Sequence, residues 1–169
     1  LPKEYESMDP SFFHFEAEHL PRWSIGCAQV KLIAGQAFGR SSLVPVLSPL
    51  YLIEIKTSSE SQVMNIGEDL YGESGLYILE GGVITEDHDF GPKQILVAND
   101  SKLCSFTMKA HTTVYIFGGE KFEEDRYIDW NFVATDKSIL KKAKEDWEQG
   151  LFPTIEGESD LVPYPIKKN

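Results

Sequence analysis

No stretch of 18 apolar residues occurs anywhere in the sequence, so no transmembrane helix is expected. Basic residues are scarce as well. Sixteen Lys and Arg stand against 27 Asp and Glu, a net charge of −11. A nucleic-acid surface needs a basic stripe to neutralise phosphates, and an anionic membrane attracts the same kind of charge. Neither partner suits this chain. Cysteine is nearly absent: Cys27 and Cys104 are too few for a disulfide scaffold. Both sit in apolar, strand-like contexts and read as buried thiols of a reducing, cytoplasmic compartment. There is no Gly-x-Ser-x-Gly turn to expose a nucleophile and no phosphate-binding glycine loop.

What is present is enough to fold. The chain has 169 residues and is 41% hydrophobic, which suits one domain with a sizeable core. Its opening, Leu1-Pro2, reads as that of a cut-down or processed chain.

The pattern is organised around Leu76-Tyr77-Ile78-Leu79, four apolar residues that read as a strand buried on both faces. Glu80-Gly81-Gly82 then breaks it as a tight hairpin would, with Val83-Ile84 returning. A similar unit, Val114-Tyr115-Ile116-Phe117-Gly118-Gly119, follows later. Further strands are expected within Ile25–Ala34, Leu50–Ile55, Ile95–Ala98 and Leu103–Met108, the last two joined by a turn at Asn99-Asp100-Ser101. Residues 1–22 read as a linker or arm, broken by Pro2, Pro10 and Pro21 and pinned to the barrel by Phe12, Phe13 and Phe15. Residues 23–134 read as the barrel. Within it, Tyr127–Val133 reads as one aromatic strand. Residues 135–150 form a closing helix, capped by Thr135 or Asp136 and stopped at Gly150. Ile139, Leu140, Ala143 and Trp147 share one face of it, predicted to pack on the outside of the barrel. Residues 151–169 are an extended tail.

Metal-type residues are few. His14, Glu16 and Glu18 would share one face of a strand, but on an arm they read as a solvated polar face. His88 lies among Glu86, Asp87 and Asp89 in a charged loop, and His111 precedes a strand at a turn. Tyr51, Tyr77 and Tyr115 alternate with aliphatics in strands. They are candidates to line a cavity, although core packing is the commoner fate of such residues.

Several segments, taken in order, resemble the second half of the pirin family. They begin with Leu1-Pro2-Lys3 and Met8-Asp9-Pro10, then Val30-Lys31-Leu32-Ile33-Ala34-Gly35 and Pro49-Leu50-Tyr51-Leu52. Tyr77-Ile78-Leu79-Glu80-Gly81 and Phe117-Gly118-Gly119-Glu120 follow. The most specific are Trp130-Asn131-Phe132-Val133-Ala134 and the run from Lys142 through Trp147 to Pro153, which resembles the closing helix of bacterial pirin-like proteins. The resemblance implies an all-β fold, a cupin-type β-barrel (a double-stranded β-helix) with one C-terminal α-helix. It also implies a bicupin, in which this chain corresponds to the C-terminal barrel and iron belongs to the N-terminal one.

In a metal-bearing barrel of that family a His-x-His pair precedes the Tyr-x-Leu-Glu-Gly strand, and a glutamate follows the pair. Counted back from Gly81, those positions are Gly67, Asp69 and Glu73. Only the glutamate survives. The later strand that supplies the remaining ligands, 95–108, holds no His or Glu. No metal, cofactor or catalytic residue is therefore expected in this chain, and Gly67, Asp69 and Glu73 are vestigial ligand positions. The complete protein is expected to resemble an iron-dependent quercetin 2,3-dioxygenase. Two alternatives are an interaction or co-regulator module and an empty barrel that binds a small ligand. The implied partner is the missing N-terminal barrel or a second copy of this chain, giving a homo-oligomer.

Overall fold

The computed structural model describes residues 1–86, 88–98, 105–154, 156–157, 160 and 162–165. The first strands are β1 (Arg22–Ile25), β2 (Ala28–Ala37), β3 (Arg40–Ser41), β4 (Leu50–Lys56), β5 (Gln62–Asn65) and β6 (Glu73–Glu80). Then come β7 (Val83–Ile84), β8 (Asp89–Phe90), β9 (Ile95–Val97), β10 (Ser105–Met108) and β11 (Thr113–Gly119). A last pair, β12 (Tyr127–Asp129) and β13 (Phe132–Ala134), leads into helix α1 (Lys137–Glu148). Two compact units result: Asp9–Lys121, and Leu1–Met8 together with Phe122–Asn169.

The first unit is the barrel. One sheet has the order β1-β2-β4-β11-β6-β9, with β3 on β2, and the other runs β5-β10-β7-β8. Alternation explains its walls. Leu32, Ile53, Leu76 and Ile116 point inward from one sheet and meet Met64, Val83, Phe106 and Met108 from the other in a single core.

The strand at the centre of the sequence pattern is buried on one face only. Leu76 and Ile78 are fully buried, whereas Tyr77 is half-buried and Leu79 exposed. A run of apolar residues on an outward face is indistinguishable in sequence from double burial. Gly81 takes a positive φ of 74° as expected, but no hairpin forms there. The chain instead crosses to the other sheet, where β7 pairs with β10 and β8. The Thr112 hydroxyl bridges this crossing by accepting from Gly82 N–H and donating to Gly82 O. Gly118-Gly119 is no hairpin either; it ends β11 beside Leu50, and Glu120 N–H donates to Pro49 O at 3.0 Å.

Phe12 and Phe13 do not pin the arm, since Phe12 is 88% exposed and Phe13 is also exposed; Phe15 is half-buried, and two 3-10 turns occupy Lys3–Tyr5 and Ala17–His19. Cys27 is half-buried, its thiol 3.8 Å from Ser61 O. Cys104 and the turn at 99–101 lie outside the described residues.

In the second unit Tyr127–Val133 is a hairpin rather than one strand. Asp129 pairs with Phe132 across a two-residue turn, and Trp130 sits there at φ 55°. Glycine normally takes that position. Trp130 tolerates the strain because its ring is the hub of an aromatic cluster. Phe132, Trp147 and Tyr164 lie 5.6, 5.2 and 5.5 Å away, and Phe152 is 5.4 Å from Trp147. Helix α1 starts as expected, with Asp136 capping Ser138 N–H at 2.7 Å. The α1 face carrying Trp147 packs on the β12–β13 hairpin, and Leu140 is buried. Thr135 is held instead by Glu6, which accepts from its backbone N–H at 2.8 Å and its hydroxyl at 2.9 Å. Among the described residues no helix is long and apolar enough to cross a membrane.

Candidate functional site

A cupin site would be built inside the barrel. The positions that correspond to ligands do not converge there. Gly67 and Asp69 belong to a 3-10 turn; Gly67 is buried, Asp69 is exposed, and Glu73 opens β6 with its side chain exposed. The interior surface between the sheets carries Met64, Ile66, Phe106 and Met108, each at most 3% exposed. Phe106 faces Met64 across the β5–β10 register, so these groups fill the space together. Their hydrocarbon and thioether surfaces offer no imidazole or carboxylate to a hard or borderline cation. Among the described residues no group of three His, Cys, Asp or Glu side chains could hold a metal ion. Among the described residues, the side chains of this interior do not supply the ligands of a 2-His-1-carboxylate or three-His iron site.

The histidines are scattered. His14 Nε2 meets Glu16 at 3.1 Å and His19 approaches Glu18 at 4.0 Å, both in solvent. His88 stacks on Phe90 at 5.9 Å; Asp87 beside it lies outside the described residues. His111 takes a left-handed turn conformation at φ 54°.

The three tyrosines are divided between the two faces of the large sheet. Tyr51 is on the inner face, 1% exposed, and its hydroxyl lies 2.5 Å from Ser74 Oγ. Burial pushes its phenol up, against the Ser74 contact. Tyr77 and Tyr115 are register partners on the outer face. That outer face holds a polar network the sequence did not announce. Glu54, 7% exposed, meets Lys31 Nζ at 2.6 Å and Lys56 Nζ at 3.3 Å, and accepts from the Tyr115 hydroxyl at 2.9 Å. Burial alone would raise its pKa, but these donors outweigh it and hold the carboxyl below its ordinary value. The alternation Leu50, Leu52, Glu54, Lys56 was visible, but which strands would flank Glu54 was not. Beside the network runs an apolar stripe. Phe117 is flanked by Leu52 and by Gly75, whose other neighbour is Val97, and Tyr77 pairs with Ile95. Ile95 is 60% exposed and Val97 68%.

Comparison with known proteins resolves the family. The pirin C-terminal cupin domain matches residues 53–153. The chain belongs to the pirin family. Over 168 residues, 98% of this chain, it is 34% identical to a pirin-like protein of Caulobacter vibrioides and covers 57% of it. Over 89% of the chain it is 27% identical to a Pseudomonas aeruginosa protein provisionally named a quercetin 2,3-dioxygenase, of which it covers 47%. The chain thus spans about half the length of these curated relatives. Among solved structures, a quercetin 2,3-dioxygenase from Acinetobacter baumannii superposes with a TM-score of 0.76 at 24% identity. It matches 99% of this chain and 58% of its own. A Geobacillus kaustophilus protein reaches 0.60 at 18% identity over 74% of this chain and 53% of its own. These likenesses establish the cupin fold. This pirin cupin domain keeps that barrel, with Met64, Ile66, Phe106 and Met108 buried in its interior.

Proposed function

We propose that this chain is the metal-free C-terminal cupin domain of a pirin-like protein, non-catalytic by itself, whose complete form is an iron-dependent dioxygenase of the quercetin 2,3-dioxygenase type. In that form the iron and the chemistry belong to an N-terminal barrel. The observation that carries the reading is the interior packed by Met64, Ile66, Phe106 and Met108, while the ligand positions hold a glycine, Gly67, and two exposed carboxylates, Asp69 and Glu73. The same packing removes support from an empty-barrel ligand binder. The test is oxygen uptake with quercetin after the chain is incubated with ferrous iron. No turnover above free iron is expected, and turnover proportional to protein would overturn the proposal.

A second role is favoured by the outer sheet face. Tyr77, Tyr115, Phe117, Ile95 and Val97 form an apolar surface larger than scattered exposed residues would make. This is a surface for a partner: the other barrel in a longer protein, or a second copy when the chain is alone.

A further inference from the structure

Apart from the barrel interior and the outer sheet face, the first unit carries a cleft of about 510 Å³ at one end of the large sheet. It is lined by Gln36, the segment Val46–Leu50, Tyr71 and Glu120. That volume lies in the range of small-molecule sites, roughly 300–1,000 Å³. Its floor is set by backbone contacts too close for side chains. A Cβ at Gly35 would collide with the Leu50 carbonyl, and one at Gly72 with the Gly119 carbonyl. Tyr71 is fixed from two sides: its hydroxyl donates to Leu50 O at 3.0 Å and its ring packs edge-on to Tyr51 at 5.3 Å. The cleft is therefore preformed rather than a gap between loose loops.

Its lining has a definite chemistry. Val46 and Leu47 present exposed hydrocarbon, and Pro49 and Leu50 continue that wall. Opposite in character, Glu120 brings a carboxylate with no ion-pair partner among the described residues. Gln36 brings an amide with no side-chain hydrogen bond among them. Glu120 and Tyr71 both line the cleft, and the Glu120 charge is the second cause, after burial, of the raised Tyr71 phenol. A carboxylate next to an aromatic ring suits an ammonium head, through ion pairing and cation–π attraction together. An apolar wall suits a flat or branched hydrocarbon body. An anion would be repelled by the Glu120 charge.

We propose that this cleft binds a small organic cation, an amine carried on an aromatic or aliphatic body, with Glu120 and Tyr71 at its head and Val46–Leu50 along its body. The site needs no metal.

Tryptamine is a suitable probe and indole-3-acetate its anionic counterpart, titrated into the full 169-residue chain and followed by backbone amide NMR. Tryptamine is expected to shift the amides of Gln36, Val46, Leu47, Leu50, Tyr71 and Glu120, and to bind at least ten-fold more tightly than indole-3-acetate. Because the chain is acidic overall, a diffuse attraction for cations must be separated from a local one. Glu120→Gln should weaken tryptamine about ten-fold, whereas Glu60→Gln, which removes the same charge elsewhere, should leave it unchanged. Equal binding of the two probes, shifts spread over the surface, equal effects of the two variants, or no saturable shift at the cleft would each overturn the proposal. The comparison of probes on the unaltered chain stands even if a variant folds poorly.

Discussion

Glu54 shows how one residue can be both the most polar and among the most buried on its strand. Its carboxylate is held by Lys31, Lys56 and Tyr115 on the outer face of the large sheet. Removing one member of a well-buried pair typically destabilises by ~3–5 kcal/mol. Here Lys31 and Lys56 retain access to water, so Glu54→Gln is expected to cost on the order of 1–3 kcal/mol in urea unfolding at neutral pH. The sign of its pH dependence follows from the lowered pKa. The stabilisation is fully present above the unfolded carboxyl's 4.5 and is lost as pH falls through the depressed folded value. The gap between wild type and Glu54→Gln should therefore narrow below about pH 4.5; a constant gap would show that Glu54 acts by packing alone. A second titration belongs to Tyr164. Its hydroxyl donates to Asp129 at 2.6 Å, and that bond pushes the phenol up to about 12. Tyr51, Tyr71 and Tyr115 are pushed up as well, so the ultraviolet titration is read as a difference: Asp129→Asn should move one late-ionising tyrosine down toward 10, the ordinary value.

At the scale of elements, the helix is the clearest case of sequence specifying structure. Its cap and its glycine stop are local signals, and Asp136 and Gly150 fall where they place them; the expected apolar face holds only in part, since Leu140 is buried and Trp147 packs on the β12–β13 hairpin while Ile139 is exposed. Trp147 joins the cluster around Trp130 and donates its Nε1–H to Val162 O at 2.8 Å. Trp147→Ala should therefore destabilise its unit by somewhat less than the ~3–5 kcal/mol of a fully buried ring. Lys141→Ala, at a side chain 79% exposed, should cost under about 0.5 kcal/mol. Unfolding of Trp147→Ala at the wild-type midpoint would contradict a docked helix.

The strands were legible as strands but not as partners. Gly81-Gly82 carries a hairpin's composition, yet its role is to pass the chain between sheets, and only β10 and Thr112, about 30 positions away, decide that. The reverse error occurred at Trp130-Asn131. Nothing in that pair advertises a turn, because the strain of Trp130 is offset by rings from the helix and the tail. Gly67, Asp69 and Glu73 were singled out by their spacing from Gly81, and the structure puts the first two on a 3-10 turn and the third at the start of β6. What fills the interior was not legible, since Met64 and Phe106 are neighbours only across a sheet.

On the scale of the whole molecule, two surfaces and one interior define what the chain can do. The exposed stripe around Phe117, Ile95 and Val97 and the bare Phe12 and Phe13 of the arm leave considerable apolar area in water. Multi-angle light scattering of the isolated chain is expected to report a dimer or larger assembly, with Phe117→Asp shifting it toward the monomer. A monomer at high concentration would remove the partner surface from the account. The central claim, however, concerns the interior: a cupin barrel packed with hydrocarbon and thioether side chains, which we propose holds no iron. Elemental analysis of the purified chain, after dialysis against a weak chelator, tests it most directly. The expected result is far less than one transition-metal ion per chain; about one iron per chain would contradict it.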